Sequence, residues 1–186
     1  LGLWTENADE YQALFRQGSI DYHEFCRRDA LLWRGVALDS VLPILYDIPY
    51  QPGARDLIRS LKGAGVVTVI ISTGLSFLVE KIKSELGIDH AFANDLLVAR
   101  GTLSGEIRIN VDYDMKGDIV RSMLERLRFG FGEASAIGDG EGDRGMFEEV
   151  CMPIGFNING GSANFPGRTR YINELREAKY LLGVGR

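Results

Sequence analysis

The sequence predicts a Rossmann-like α/β fold, a parallel sheet with helices on both faces. Three observations carry this. From residue 52 onward, short Val- and Ile-rich runs alternate with amphipathic helical stripes, the grammar of β-α-β units. The run from Val66 to Ile71, broken only by Thr68, reads as a strand buried on both faces, as parallel strands are. The 186 residues are 45% hydrophobic and 25% charged, ordinary globular proportions that furnish a core without disulfides. A disordered tail, a collagen-like fibre and a disulfide scaffold are excluded by the same figures.

Residues 1–48 carry helical patterning and no strand-like run. Asp21 and Glu24 match the spacing of a helix-capping box. Tyr22, Phe25, Cys26, Ala30 and Trp33 recur on one helix face, and Gly35 can end that helix. Trp4 and Trp33 read as core of this region. Pro52 and Gly53 then open a helix with Ala54, Leu57, Ile58 and Leu61 on one face. Strand 66–71 follows, and after it a helix with Leu75, Leu78, Val79, Ile82 and Leu86 on one stripe, stopped by Gly87. Asp95–Ala99 and Thr102–Ile109 flank Arg100-Gly101 as a hairpin. Val120, Met123, Leu124 and Leu127 mark the next helix. Ser135–Gly138 reads as a strand and Arg144–Val150 as a short helix. Met152–Phe156 and Thr169–Ile172 read as two more strands, and Asn173–Leu182 as the last helix.

The formal net charge is −5, and no basic block suggests nucleic acid as a partner. No apolar run approaches the ~20 residues a membrane span requires. Cys26 and Cys151 read as buried free thiols, which makes a reducing cytoplasm the expected location. No signal-peptide pattern opens the chain. It begins at Leu1 and not at Met, so residues upstream are expected. Oligomeric state is not encoded in any of these features.

Ligands of open α/β sheets bind beyond the carboxyl ends of the strands. After strand 66–71 stands Ser72-Thr73-Gly74, expected to lead straight into a helix. Hydroxyls and free backbone N–H groups there make an anion site, although Ser and Thr also favour that position as simple helix caps. After Ser135–Ile137 comes Gly138-Asp139-Gly140-Glu141-Gly142-Asp143. Two carboxylates four apart on a Gly-rich turn suit a hard cation such as magnesium. A turn of solvated acids is the bland alternative. A calcium loop is not, because Arg144 and Val150 occupy its sixth and twelfth positions. Lys116 stands at the start of the Val120–Leu127 helix. A lysine there opposes the helix dipole, and a bound anion would account for it.

Hydroxyl, lysine and acid pair, in that order and each at an element junction, resemble the motifs of the haloacid dehalogenase superfamily of phosphohydrolases. Ser72 looks like its second motif, Lys116 like its third and the 138–143 run like its fourth. The phosphoserine phosphatase branch is closer still. Its signature region is similar to Ser72-Thr73-Gly74, Phe92-Ala93-Asn94, the hairpin, Lys116-Gly117, and Gly138-Asp139-Gly140 through Asp143 to Met146-Phe147. The resemblance runs from residue 50 to about 182. It implies a small helical cap at 1–48 and an α/β core at 49–186 whose first strand lies upstream.

The sequence departs from the family pattern in three ways. The first motif, D-x-D-x-[TV], is absent from these 186 residues. Gly142 stands where the family usually has Asn. Asp29, beside Arg27 and Arg28, occupies the place of the cap arginine that grips the phosphoserine carboxylate.

The resemblance implies a magnesium-dependent phosphatase acting on a small phosphorylated metabolite through an aspartyl-phosphate. Asp139 would hold Mg2+, and Asp143 would support the metal site or Lys116. Ser72, Lys116 and the backbone N–H groups of Thr73 and Gly74 would hold the phosphoryl group. The nucleophilic Asp would lie outside 1–186, so the chain alone is expected to be inactive. Two alternatives stand beside this reading. One is a catalytically inactive phosphate-binding module, if the gene lacks the first motif. The other is a phosphoacceptor receiver domain, disfavoured because receivers place the acid pair before the lysine and lack a helical cap.

Overall fold

The computed structural model describes residues 6–158 and 165–185. In chain order its elements are α1 (Glu6–Arg16), α2 (Tyr22–Leu32), α3 (Leu38–Tyr46), α4 (Ala54–Gly63), β1 (Val69–Leu75), α5 (Ser76–Leu86), β2 (His90–Ala99), β3 (Thr102–Arg108), α6 (Lys116–Leu127), β4 (Ser135–Gly138), α7 (Arg144–Glu148), β5 (Met152–Phe156), β6 (Arg170–Ile172) and α8 (Leu175–Leu181). They form two compact units. One holds the described residues up to Pro49 together with Ile70–Asp112. The other holds Tyr50–Val69 and the described residues from Tyr113 onward.

In the first unit, α2 begins as its sequence dictates: the Asp21 carboxylate accepts the Glu24 N–H at 2.7 Å, a side-chain N-cap. Tyr22, Cys26 and Ala30 form its buried face. Ala30, Val41, Leu96 and Leu103 make a core on which Trp33, Leu75 and Phe77 pack. Trp4 lies outside the described residues. β2 and β3 are an antiparallel hairpin pairing Ala99 with Thr102 and Val98 with Leu103. Its two turn residues, Arg100 and Gly101, have φ of 53° and 79°, the twin left-handed conformations of a tight hairpin turn. One boundary between the units falls at Pro49 and Tyr50, beside residue 48, and Ile70–Asp112 is grouped with the N-terminal helices. The physical reason is that α2 packs on β3 and α3 on α5, so the N-terminal helices share a core with 70–112.

The second unit carries a parallel sheet in the order β4-β5-β6. Leu57 of α4, Ile154 of β5, Ile172 of β6 and Ala178 of α8 form its core, and Lys179 on α8 pairs with Asp56 on α4 at 2.7 Å. Helices α6 and α7 meet at two glycines. A Cβ on Gly117 would stand 2.7 Å from the Gly145 carbonyl oxygen.

The α/β class is as the sequence predicts, with a parallel sheet in β4-β5-β6 and the expected hairpin in β2-β3. The strands form two three-stranded sheets, β1-β2-β3 and β4-β5-β6, and the first contains an antiparallel hairpin. β1 ends one sheet and β4 ends the other, so neither pairs along its outer edge with a described strand.

Candidate active site

The Gly-rich turn after β4 is organised around one carboxylate. Asp143 ends a short 3-10 turn (Glu141–Asp143) and its side chain is only 7% exposed. One oxygen accepts from Lys116 Nζ at 2.6 Å. The other accepts the backbone N–H of Asp139 at 2.8 Å and of Gly140 at 3.3 Å. A buried carboxylate must be paired and hydrogen-bonded to offset its desolvation, and Asp143 is both. The turn can close this tightly because position 138 is glycine: a Cβ there would overlap the Asp143 carboxylate. Lys116 is no solvated surface lysine, since its side chain is 12% exposed. The sequence-predicted trio is thus brought together: Lys116 and Asp143 by an ion pair, Asp139 through its backbone.

The Asp139 side chain is exposed and makes no ion pair or hydrogen bond among the described residues. Magnesium keeps several waters and takes one or two carboxylates, so Asp139 fits as one such ligand. A full protein cage is not present: no three His, Cys, Asp or Glu side chains gather to hold a metal among the described residues. Gly142, where the family usually has Asn, lies beneath Tyr113. A Cβ at 142 would stand 3.0 Å from that ring, so the ring occupies space a larger residue would require. Burial, then the charges of Glu141, Asp114 and Asp143, push the Tyr113 phenol upward.

The first unit carries Ser72-Thr73-Gly74, and here the sequence reading is corrected. These residues lie within β1, which runs from Val69 to Leu75, not at a helix N-terminus. Helix α5 starts at Ser76 with Leu75 as its N-cap and no side-chain cap. The reason is long-range. The Thr73 carbonyl accepts from the Asn94 amide at 3.1 Å and from the Tyr22 hydroxyl at 3.3 Å, which holds it in the extended chain. The Gly74 N–H is not open either, because it donates to Ser72 Oγ at 3.0 Å.

The sequence places Asn94 in the Phe92-Ala93-Asn94 stretch and Tyr22 on a helix face, with no site role for either. Asn94 is fully buried, and its oxygen accepts the N–H groups of Asn110 and Val111 at 2.8 Å each. The available signal is an asparagine amid Ala91, Phe92, Ala93, Leu96 and Leu97, a strand context in which this residue is disfavoured.

On α2, Arg27 and Arg28 are both held by Glu24, Arg28 at 2.6 Å. Asp29 is half-buried with no such partner, and burial pushes its carboxyl pKa up. Cys26 is buried as expected, whereas Cys151 is only half-buried; both are free thiols.

The sequence model of the haloacid dehalogenase-like hydrolases matches residues 1–148. Among curated relatives, a phosphoserine phosphatase of Archaeoglobus fulgidus is 33% identical over 142 residues, 76% of this chain and 41% of that protein. A phosphoserine phosphatase of Methanocaldococcus jannaschii is 30% identical over 75% of this chain and 67% of its own length. A probable phosphoserine phosphatase of Schizosaccharomyces pombe is 31% identical, over 92% and 59%. The chain therefore spans from about two fifths to two thirds of the length of these relatives. Among solved structures, a substrate-bound phosphoserine phosphatase complex superposes with a TM-score of 0.80 at 27% identity, over 94% of this chain and 84% of that one. A phospho-aspartyl intermediate analogue of phosphoserine phosphatase gives 0.79 at 27% identity, over 94% and 85%. With the family match covering most of its length and phosphoserine phosphatases among its relatives and structural neighbours, the chain belongs to the haloacid dehalogenase-like hydrolases, in their phosphoserine phosphatase-like branch.

Proposed function

We propose that this chain carries phosphate- and metal-binding side chains of a magnesium-dependent phosphatase that hydrolyses a small phosphorylated metabolite through an aspartyl-phosphate. The observation that carries this reading is the buried Lys116–Asp143 pair with two backbone N–H groups on the free Asp143 oxygen. Burying a charged pair is costly, and a turn built around one serves to fix a lysine where charge develops. The family resemblance gives Lys116 and the Ser72 hydroxyl each a phosphoryl oxygen to neutralise, the main task in phosphoryl transfer. Asp139 holds the magnesium, which when bound supplies further positive charge to the phosphoryl group. Asp143 orients Lys116 and the Asp139 backbone. The attacking carboxylate belongs to the D-x-D-x-[TV] motif, which residues 1–186 lack. The free thiols fit a reducing compartment, the cytoplasm.

The reading of the substrate is coarser. The relatives named above are phosphoserine phosphatases, and the resemblance implies a free cap arginine for the phosphoserine carboxylate. Here Glu24 holds both neighbouring arginines, and position 29 is an acid. The test is an assay of the protein expressed from its whole gene, with magnesium, against phosphomonoesters with and without a carboxylate. Activity is expected on at least one member, and Lys116→Met should cut it by at least about a hundredfold. An unchanged rate in a folded Lys116→Met variant removes Lys116 from the site. No turnover of any member favours the inactive phosphate-binding module.

A further inference from the structure

We propose that Asn94 and Tyr22 are positioning residues that aim the Ser72 hydroxyl at the phosphoryl group; this rests on the phosphate-binding role of Ser72 proposed above. The Thr73 carbonyl oxygen is the centre of a side-chain clamp. It accepts two hydrogen bonds from side chains remote in sequence, Asn94 Nδ2 at 3.1 Å and Tyr22 Oη at 3.3 Å. The two donors are themselves linked, Asn94 Nδ2 donating to Tyr22 Oη at 2.9 Å. Asn94 is in turn fixed by Val111 O at 3.1 Å and by the N–H groups of Asn110 and Val111. The clamp is therefore anchored on α2, on β2 and on the segment after β3 before it touches β1.

The Thr73 carbonyl and the Gly74 N–H belong to one trans peptide, in which C=O and N–H point in opposite directions. Holding the carbonyl toward Asn94 turns the N–H the other way, where it donates to Ser72 Oγ at 3.0 Å. A serine hydroxyl has one proton to give. With an acceptor lone pair of Oγ occupied by Gly74, that proton is free for a phosphoryl oxygen, and the incoming N–H bond polarises it as a better donor. The order of action is thus clamp, peptide plane, hydroxyl. Burial pushes the Tyr22 phenol well above its ordinary pKa, so its O–H remains a donor at any working pH.

The test uses the protein expressed from its whole gene, with inorganic phosphate as the probe and its affinity measured by calorimetry. Tyr22→Phe removes one donor and keeps the ring. Asn94→Asp keeps the acceptor oxygen and removes the amide donor. Each should weaken phosphate binding about five- to tenfold, the worth of one positioned hydrogen bond. In a Ser72→Ala background the same changes should do nothing more, because they act through Ser72. Equal losses in both backgrounds would show general loosening and overturn the proposal. If Ser72→Ala weakens phosphate and Tyr22→Phe does not, the clamp is refuted while the phosphate reading stands. If Ser72→Ala itself leaves phosphate affinity unchanged, both fall. Should Asn94→Asp fail to fold, Tyr22→Phe decides alone.

Discussion

A half-buried carboxylate with no cation beside it, Asp29, states a pH dependence directly. Burial raises its pKa in the folded chain above the ordinary aspartate value of about 3.9. Between those two values the folded state binds more protons than the unfolded state, so stability falls as pH rises through that window. The penalty is absent below the unfolded pKa and complete above the folded one. Asp29→Asn should therefore be more stable than the parent at pH 7 and indistinguishable from it near pH ~3. Urea midpoints at the two pH values check this, and an equal gain at both would show that ionisation is not the cause. Asp139 makes the opposite kind of residue: exposed, unpaired among the described residues and free to bind a cation. Asp139→Asn should weaken magnesium binding and lower activity at least about a hundredfold, with thermal stability unchanged or slightly raised. Near-normal turnover at limiting magnesium would show that Asp139 is not a ligand.

Helices α6 and α7 cross at Gly117 and Gly145, and that crossing sits one residue from Lys116. In an exposed helix a Gly→Ala change is favourable by up to about 1 kcal/mol. At Gly117 the new Cβ would meet backbone, 2.7 Å from Gly145 O and 2.9 Å from its carbonyl carbon. Backbone cannot step aside as a side chain does, so overpacking wins and Gly117→Ala should cost about 1–3 kcal/mol. Gly63→Ala, at the end of α4 with nothing within 4 Å of its Cβ, is the control that should not destabilise. Denaturant midpoints separate the two. Local determinants of this kind explain which elements are legible in the sequence. Asp21 and Glu24 set the start of α2, and Arg100-Gly101 sets the hairpin turn, within a few residues each. The strand read as 66–71 instead runs 69–75, because its end is fixed by bonds from Asn94 and Tyr22, 21 and 51 positions from Thr73. Likewise Lys116 and Asp143 are legible as motif residues, but their ion pair spans 27 positions and has no signature in either segment. The helices of 1–48 read correctly as helices. That they bury their faces against the β2–β3 hairpin depends on tertiary packing that no local pattern contains.

The outer edges of the two sheets carry a consequence for the chain. β1 and β4 each lie at the end of a three-stranded sheet, and the approach to β1 is apolar and open, with Val66, Val67 and Val69 exposed at 43%, 37% and 36%. An unpaired apolar edge invites pairing with another chain. The D-x-D-x-[TV] motif is also absent from these residues. The one D-x-D triplet in the sequence is Asp112-Tyr113-Asp114, followed by Met115 and Lys116 and not by the x-[TV] of the motif. Asp112 is engaged by His23 at 2.7 Å, and neither acid stands at the end of a strand. Residues 1–186 purified alone, with magnesium and a generic aryl phosphate, should therefore show no turnover, and light scattering should rise with protein concentration. Under the phosphatase proposal, the protein expressed from its whole gene should turn over and yield a trapped aspartyl-phosphate on a residue outside 1–186. Covalent capture makes the comparison decisive, because the nucleophile is identified by the peptide that carries the phosphate. Robust turnover by residues 1–186, with the phosphate on Asp112 or any other Asp of this sequence, would defeat the prediction and place the attacking carboxylate inside the chain.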